Sequence, residues 1–206
     1  MDFLKKLQKP YKRRYDRYGS NRIFVDLYFP RNYVNQMPVV VTCPALGLTI
    51  PAINIYKLTA KGVAVCNIHF RGGSIFSKTR GDLSQLTPET MAEDVAAVID
   101  EIYSQHWAHR QKIYLYGMSH GCLAALAGAA QCPDRIAALF LCHPMLTPPE
   151  QGKDNIVDAR KLSSKYLEHW KAFPLKETME SLPMPVMQFQ EGKNMHTTML
   201  REIGVE

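Results

Sequence analysis

Short apolar runs alternate with amphipathic stretches along most of the chain. Residues 22–29 (RIFVDLYF) alternate apolar with polar positions and stop at Pro30, which predicts a half-exposed strand. Residues 39–43 (VVVTC) and 63–70 (VAVCNIHF) are continuous and rich in β-branched residues, as parallel strands covered on both faces are. Residues 112–116 (KIYLY), 136–142 (IAALFLC) and 185–189 (PVMQF) predict three more strands. Between them lie helical patterns. Residues 53–61 read as a short helix. Thr87 caps a second one, with Pro88 at its first position, Glu89 in its first turn and an apolar face of Met91, Val95, Val98, Ile99 and Ile102. Residues 121–130 predict a third, built from Gly, Ala and Leu on nearly all sides, as a helix pressed closely on a sheet must be.

Strand–helix–strand alternation with short connections predicts the α/β class: a mostly parallel central sheet covered by helices on both faces. In such sheets chemistry collects at the carboxyl ends of the strands. The 206 residues suit one domain with a full core. Residues 22–206 are expected to form it. Residues 146–183 are polar, with a helical stretch near 157–172, and read as an insertion or cap segment between two strands.

Charge changes the picture at one end only. The net charge of +6 is carried by residues 1–22, where eight Lys and Arg face Asp2 and Asp16; the other 17 Lys and Arg balance 17 Asp and Glu. Residues 1–21 are therefore read as a solvated basic arm on a neutral domain. No aromatic–basic motif or phosphate loop points to specific nucleic-acid binding. No apolar stretch near the N-terminus has the length a secretory signal needs, and none suits a membrane span. Five cysteines without CxxC spacing sit in apolar segments, which suits buried thiols in a reducing compartment, so a cytoplasmic location is expected.

Gly117-Met118-Ser119-His120-Gly121 fits G-x-S-x-G, and it follows a predicted strand and opens a predicted helix. That context makes it a nucleophile elbow. A serine on a sharp strand-to-helix turn stands clear of the sheet above a helix N-terminus, where free N–H groups favour developing negative charge. Two backbone donors are expected to form an oxyanion hole: the N–H of His120, after the nucleophile, and that of Ala45 in Pro44-Ala45-Leu46-Gly47.

The order of segments from residue 22 to residue 189 resembles the α/β-hydrolase superfamily, near the small esterases and serine aminopeptidase-like hydrolases. The segments that carry the resemblance are YFPRN…PVVVTCPALG, NIHFRGGSIFSKTRGDL, MAEDVAAVIDEI, YLYGMSHG and PLKETMESLPMPVMQFQEGKN. The resemblance implies cleavage of an ester, amide or thioester by a serine–histidine–acid triad, with Arg71-Gly72-Gly73-Ser74 in a loop lining the site. It places the acid after PVMQF, where Asn194 stands and Glu191 is the nearby carboxylate. It also places the histidine after one further strand, before which the chain ends at Glu206. The fold is thus expected to lack its last strand and helix.

Three histidines are weighed as stand-in bases. His143 ends a strand at the correct edge, His196 follows the acid loop, and His120 adjoins the serine with a ring expected to diverge from the hydroxyl. A base beyond the chain end is the alternative. No histidine pair has metal-ligand spacing, and no metal or cofactor is expected. The expected activity is acyl transfer from a small-molecule substrate through an acyl-enzyme on Ser119. The competing expectation is a hydrolase-like protein that binds a ligand or partner without turnover.

Overall fold

The structure is a computed structural model that describes residues 9–32, 35–46, 48, 53–73, 77–148, 163–190 and 195–205. Its elements in chain order are β1 (Tyr11–Tyr18), β2 (Ile23–Pro30), β3 (Met37–Cys43), α1 (Ile55–Ala60), β4 (Ala64–Ile68), α2 (Pro88–Ser104), β5 (Ala108–Met118), α3 (Gly121–Gln131), β6 (Ala138–Cys142), α4 (Ser164–Ala172), α5 (Leu175–Ser181), β7 (Val186–Phe189) and α6 (Met195–Ile203). The strands form one sheet in the order β1-β2-β4-β3-β5-β6-β7. β1 and β2 pair antiparallel, as do β2 and β4; every other neighbouring pair is parallel.

Side chains alternate across the sheet and so feed two cores. Val39 and Val41 of β3, Leu115 of β5 and Leu139 and Leu141 of β6 face α2 and α3, with α4 packed beyond. Val40, Tyr114, Tyr116 and Phe140 face the opposite way, towards α1 and α6. The predicted face of α2 is buried as expected, and Thr87 caps the helix by accepting from Thr90 N–H. At Gly128 on α3 an added Cβ would overlap Val95 of α2, so the small-residue composition of α3 is what lets the two helices touch.

The N-terminal segment differs from the solvated arm expected of it. Residues 11–18 are the edge strand β1, in register with β2 from Tyr11↔Pro30 to Tyr18↔Ile23. The reason lies in the alternation Tyr-Lys-Arg-Arg-Tyr-Asp-Arg-Tyr. The guanidinium groups of Arg13, Arg14 and Arg17 lie 5.4, 5.5 and 5.3 Å from the rings of Tyr28, Phe29 and Phe24, so charged residues cover the aromatic residues of β2. Their own outer sides stay exposed, which protects a sheet edge from pairing with other chains. With β1 on its outer side, β2 is buried along its whole length rather than half-exposed.

Other boundaries shift. β5 runs from Ala108 to Met118, longer than the KIYLY run, because Ala108 also pairs with Met37. Helices α5 and α6 were not expected. Within residues 146–183 the described part carries α4 and α5; the start of the helical stretch predicted at 157 lies outside the described residues. No helix of the described residues is long and apolar enough to cross a membrane.

Candidate active site

β5 delivers Ser119 to the carboxyl edge of the sheet, and α3 leaves from it. Ser119 has φ = 51°, a left-handed conformation that costs a non-glycine residue about 1–3 kcal/mol. Neighbouring chain holds it there. Ser119 N–H donates to Cys142 O (2.9 Å), while Ser119 O accepts from Cys122 N–H (3.1 Å) and Met145 N–H (3.2 Å). The flanking glycines are required by contact: a Cβ at Gly117 would lie 2.5 Å from Cys122 Cα, and one at Gly121 would strike the carbonyl oxygens of Cys43 and Pro44. The same contact presses the turn after β3 against the start of α3. Ala45 is the next residue of that turn, and its carbonyl accepts from Leu48 N–H (3.0 Å). Gly47 lies outside the described residues. Among the described residues, neither the Ser119 hydroxyl nor the N–H groups of His120 and Ala45 have a hydrogen-bond partner.

The His120 ring is fully buried. Its Nε2 is hydrogen-bonded to the Tyr166 hydroxyl of α4, and its ring lies edge-on to Trp170 with centroids 4.8 Å apart. Trp170 Nε1–H donates to Leu146 O (2.9 Å). Burial lowers the His120 pKa to about 4, so the ring is neutral near pH 7.

His143 stands on the other side. Met118 pairs with Cys142, so Ser119 and His143 are the next residues of adjacent strands. Both have positive φ, 51° and 47°. His143 N–H donates to Phe189 O (2.7 Å), and the residue is exposed. His196, the other distant candidate, is engaged elsewhere: its Nε2 accepts from Asn54 N–H (3.0 Å) at the start of α1. Burial, with the Lys57 charge, lowers its pKa. Asn194 and Glu191 lie outside the described residues.

The loop after β4 is rooted by Arg71. Its N–H and Nε donate to Asp94 of α2 (2.9 and 2.5 Å) and its Nη2 to Thr90 O (3.2 Å) and Glu93 (2.8 Å). Burial of Asp94 outweighs these contacts and raises its pKa to about 6, while the acidic partners raise that of Arg71. Ser74 lies outside the described residues. A second buried carboxylate went unnoticed in the sequence. Asp26 accepts from Arg13 (3.1 Å) and is paired with His69 Nε2 (3.0 Å). Burial would raise its pKa, but these two partners prevail and lower it. The signal was an aspartate inside the otherwise apolar run RIFVDLYF.

A sheet of this order, with a strained serine at the β5–α3 turn and helices on both faces, defines an α/β-hydrolase. The chain belongs to the serine aminopeptidase family, S33, whose sequence profile matches residues 52–200. Its fold is shared with Est1E from Butyrivibrio proteoclasticus, solved with ferulic acid bound (18% identity, TM-score 0.71, covering 92% of this chain and 85% of that one). It is shared too with oligopeptidase B from Trypanosoma brucei (13%, 0.68, 95% and 37%) and with the acylaminoacyl peptidase of Pyrococcus horikoshii (17%, 0.61, 100% and 37%). No curated protein matches the chain.

Proposed function

We propose that the protein is a serine hydrolase that cleaves an ester, amide or thioester through an acyl-enzyme on Ser119. The observation that carries this reading is the contact at Gly121, which sets the turn holding Ala45 against the elbow holding Ser119. The N–H groups of His120 and Ala45 have no partner among the described residues, which supports reading them as the oxyanion donors for the strained, half-buried Ser119.

Ser119 Oγ attacks the acyl carbon and gives its proton to a base. The carbonyl oxygen becomes an oxyanion that accepts from the His120 and Ala45 N–H groups. The proton passes to the leaving alcohol, amine or thiol as its bond to the acyl carbon breaks. Water then attacks the acyl-enzyme and releases the acid. Of the described histidines, His143 is the one beside Ser119 with an exposed ring, and it is taken as the base.

The test is labelling by a fluorophosphonate probe. Wild-type protein is expected to take up one probe at Ser119, and Ser119→Ala none. Folded wild-type protein that stays unlabelled refutes the reading. One observation favours the second reading, a binding protein without turnover: His69, His120, His169 and His196 are each bonded to a residue other than Ser119. An unlabelled Ser119 supports that alternative.

A further inference from the structure

The residue after Ser119 is tied to a helix 46 positions downstream. We propose that Tyr166, backed by Trp170, is a positioning residue for the oxyanion site: by holding the His120 ring it keeps the His120 N–H aimed at the reacting carbonyl. This rests on the Ser119 reading above.

The argument starts from the peptide unit between Ser119 and His120. That unit is planar and trans, so its C=O and N–H point in opposite directions, and fixing one fixes the other. Ser119 O is clamped by two donors, Cys122 N–H from α3 and Met145 N–H from the chain leaving β6. The N–H of the same unit therefore faces away from α3 and Met145. The remaining freedom is rotation about the bonds of His120, which is limited by Leu123 N–H donating to its carbonyl (3.1 Å) and by the hold on its side chain. The ring is fully buried, hydrogen-bonded to Tyr166 and set edge-on to Trp170.

Helix α4 is itself anchored at points that do not involve the elbow. The Tyr166 hydroxyl also lies 3.8 Å from the Met91 sulfur of α2. His169 Nδ1 pairs with Glu89 at the start of α2 (2.9 Å), and Trp170 holds Leu146 O. The chain following β6 thus grips the Ser119–His120 peptide twice, once by backbone at Met145 and once by side chain at Tyr166. The other His120 ring nitrogen, Nδ1, is buried without a protein partner, so the Tyr166 bond is the ring's polar tie among the described residues.

The experiment measures the rate of fluorophosphonate inactivation against probe concentration in wild-type, Tyr166→Phe, Trp170→Phe and His169→Ala proteins, each with a thermal melt. Removing a whole oxyanion donor costs about 100-fold or more, so loosening one in Tyr166→Phe is expected to lower the maximal rate about 10-fold. The half-saturating concentration should not change. His169→Ala, which removes one exposed contact of α4 and leaves the Tyr166–His120 bond in place, should label at the wild-type rate. A folded Tyr166→Phe that labels like wild type overturns the proposal, as does a His169→Ala slowed equally. Should Tyr166→Phe not fold, Trp170→Phe decides by the same criterion. Folded wild-type protein that takes no label overturns the Ser119 reading itself, a result distinct from a labelled wild type with an unaffected Tyr166→Phe.

Discussion

His120 and His143 stand on either side of Ser119, one next in sequence and the other next across the sheet. Their surroundings are opposite. The His120 ring is sealed between Tyr166 and Trp170 and kept neutral by burial, whereas His143 is exposed and, among the described residues, held through its backbone. In the proposed mechanism, adjacency in sequence supplies a main-chain donor and adjacency across the sheet supplies a side chain. One edge of the sheet is thus divided into a locked half and an open half.

The locked half should break hardest at Gly121. A methyl group there meets two backbone carbonyls, which cannot rotate away as a side chain would. Gly121→Ala is expected to cost about 3 kcal/mol or more, read from urea unfolding. A wild-type midpoint would mean that the turn after β3 does not press on the elbow. His120→Ala comes next. It empties a buried site and leaves the Tyr166 hydroxyl with the weak Met91 sulfur contact in place of the His120 ring, together worth about 3 kcal/mol.

The same burial gives His120 a pH signature, which Asp94 masks. His120 has a folded pKa of about 4 against an ordinary value of 6.5. The folded state thus binds fewer protons than the unfolded state, and stability is lost as pH falls from 6.5 towards 4. Asp94 is raised to about 6 from 3.8, so its contribution is present below 3.8 and lost as pH rises through 6. The two slopes oppose each other in one window. Asp94→Asn should unmask the first, with stability rising by about 2 kcal/mol from pH 4.5 to 6.5. His196, also lowered by burial, tilts the same way. A flat profile in Asp94→Asn would mean that the His120 ring is not sealed.

The division of this edge was only half legible in the sequence. G-x-S-x-G after KIYLY located the elbow, and the α2 face could be read from spacing alone, because both signals are local. The His120–Tyr166 and Arg71–Asp94 bonds join residues 46 and 23 positions apart, and no periodicity links such pairs. β1 was missed for a different reason. Its period of two was visible, but strand patterns are sought in apolar residues, and here the cover over Phe24, Tyr28 and Phe29 is made of guanidinium groups. α6 carries Met195, Met199 and Ile203 at a spacing of four, but three apolar positions in nine residues are a weak periodic signal.

The smallest effect on stability should come from the open half, at His143. Asparagine is the informative replacement, since it tolerates the left-handed φ of 47° that alanine would strain against, and it cannot act as a base near neutral pH. With an exposed ring and, among the described residues, only backbone hydrogen bonds at stake, His143→Asn should leave the urea midpoint within about 0.5 kcal/mol of wild type. Labelling of Ser119 should nevertheless slow by about 100-fold, the scale of a lost proton transfer. The pairing of a large rate effect with a negligible stability effect separates chemistry from scaffolding, and His120→Ala must give the reverse emphasis in the melt. Equal labelling of wild type and His143→Asn would move the base away from this strand end and leave the exposed ring as a solvated terminus of β6.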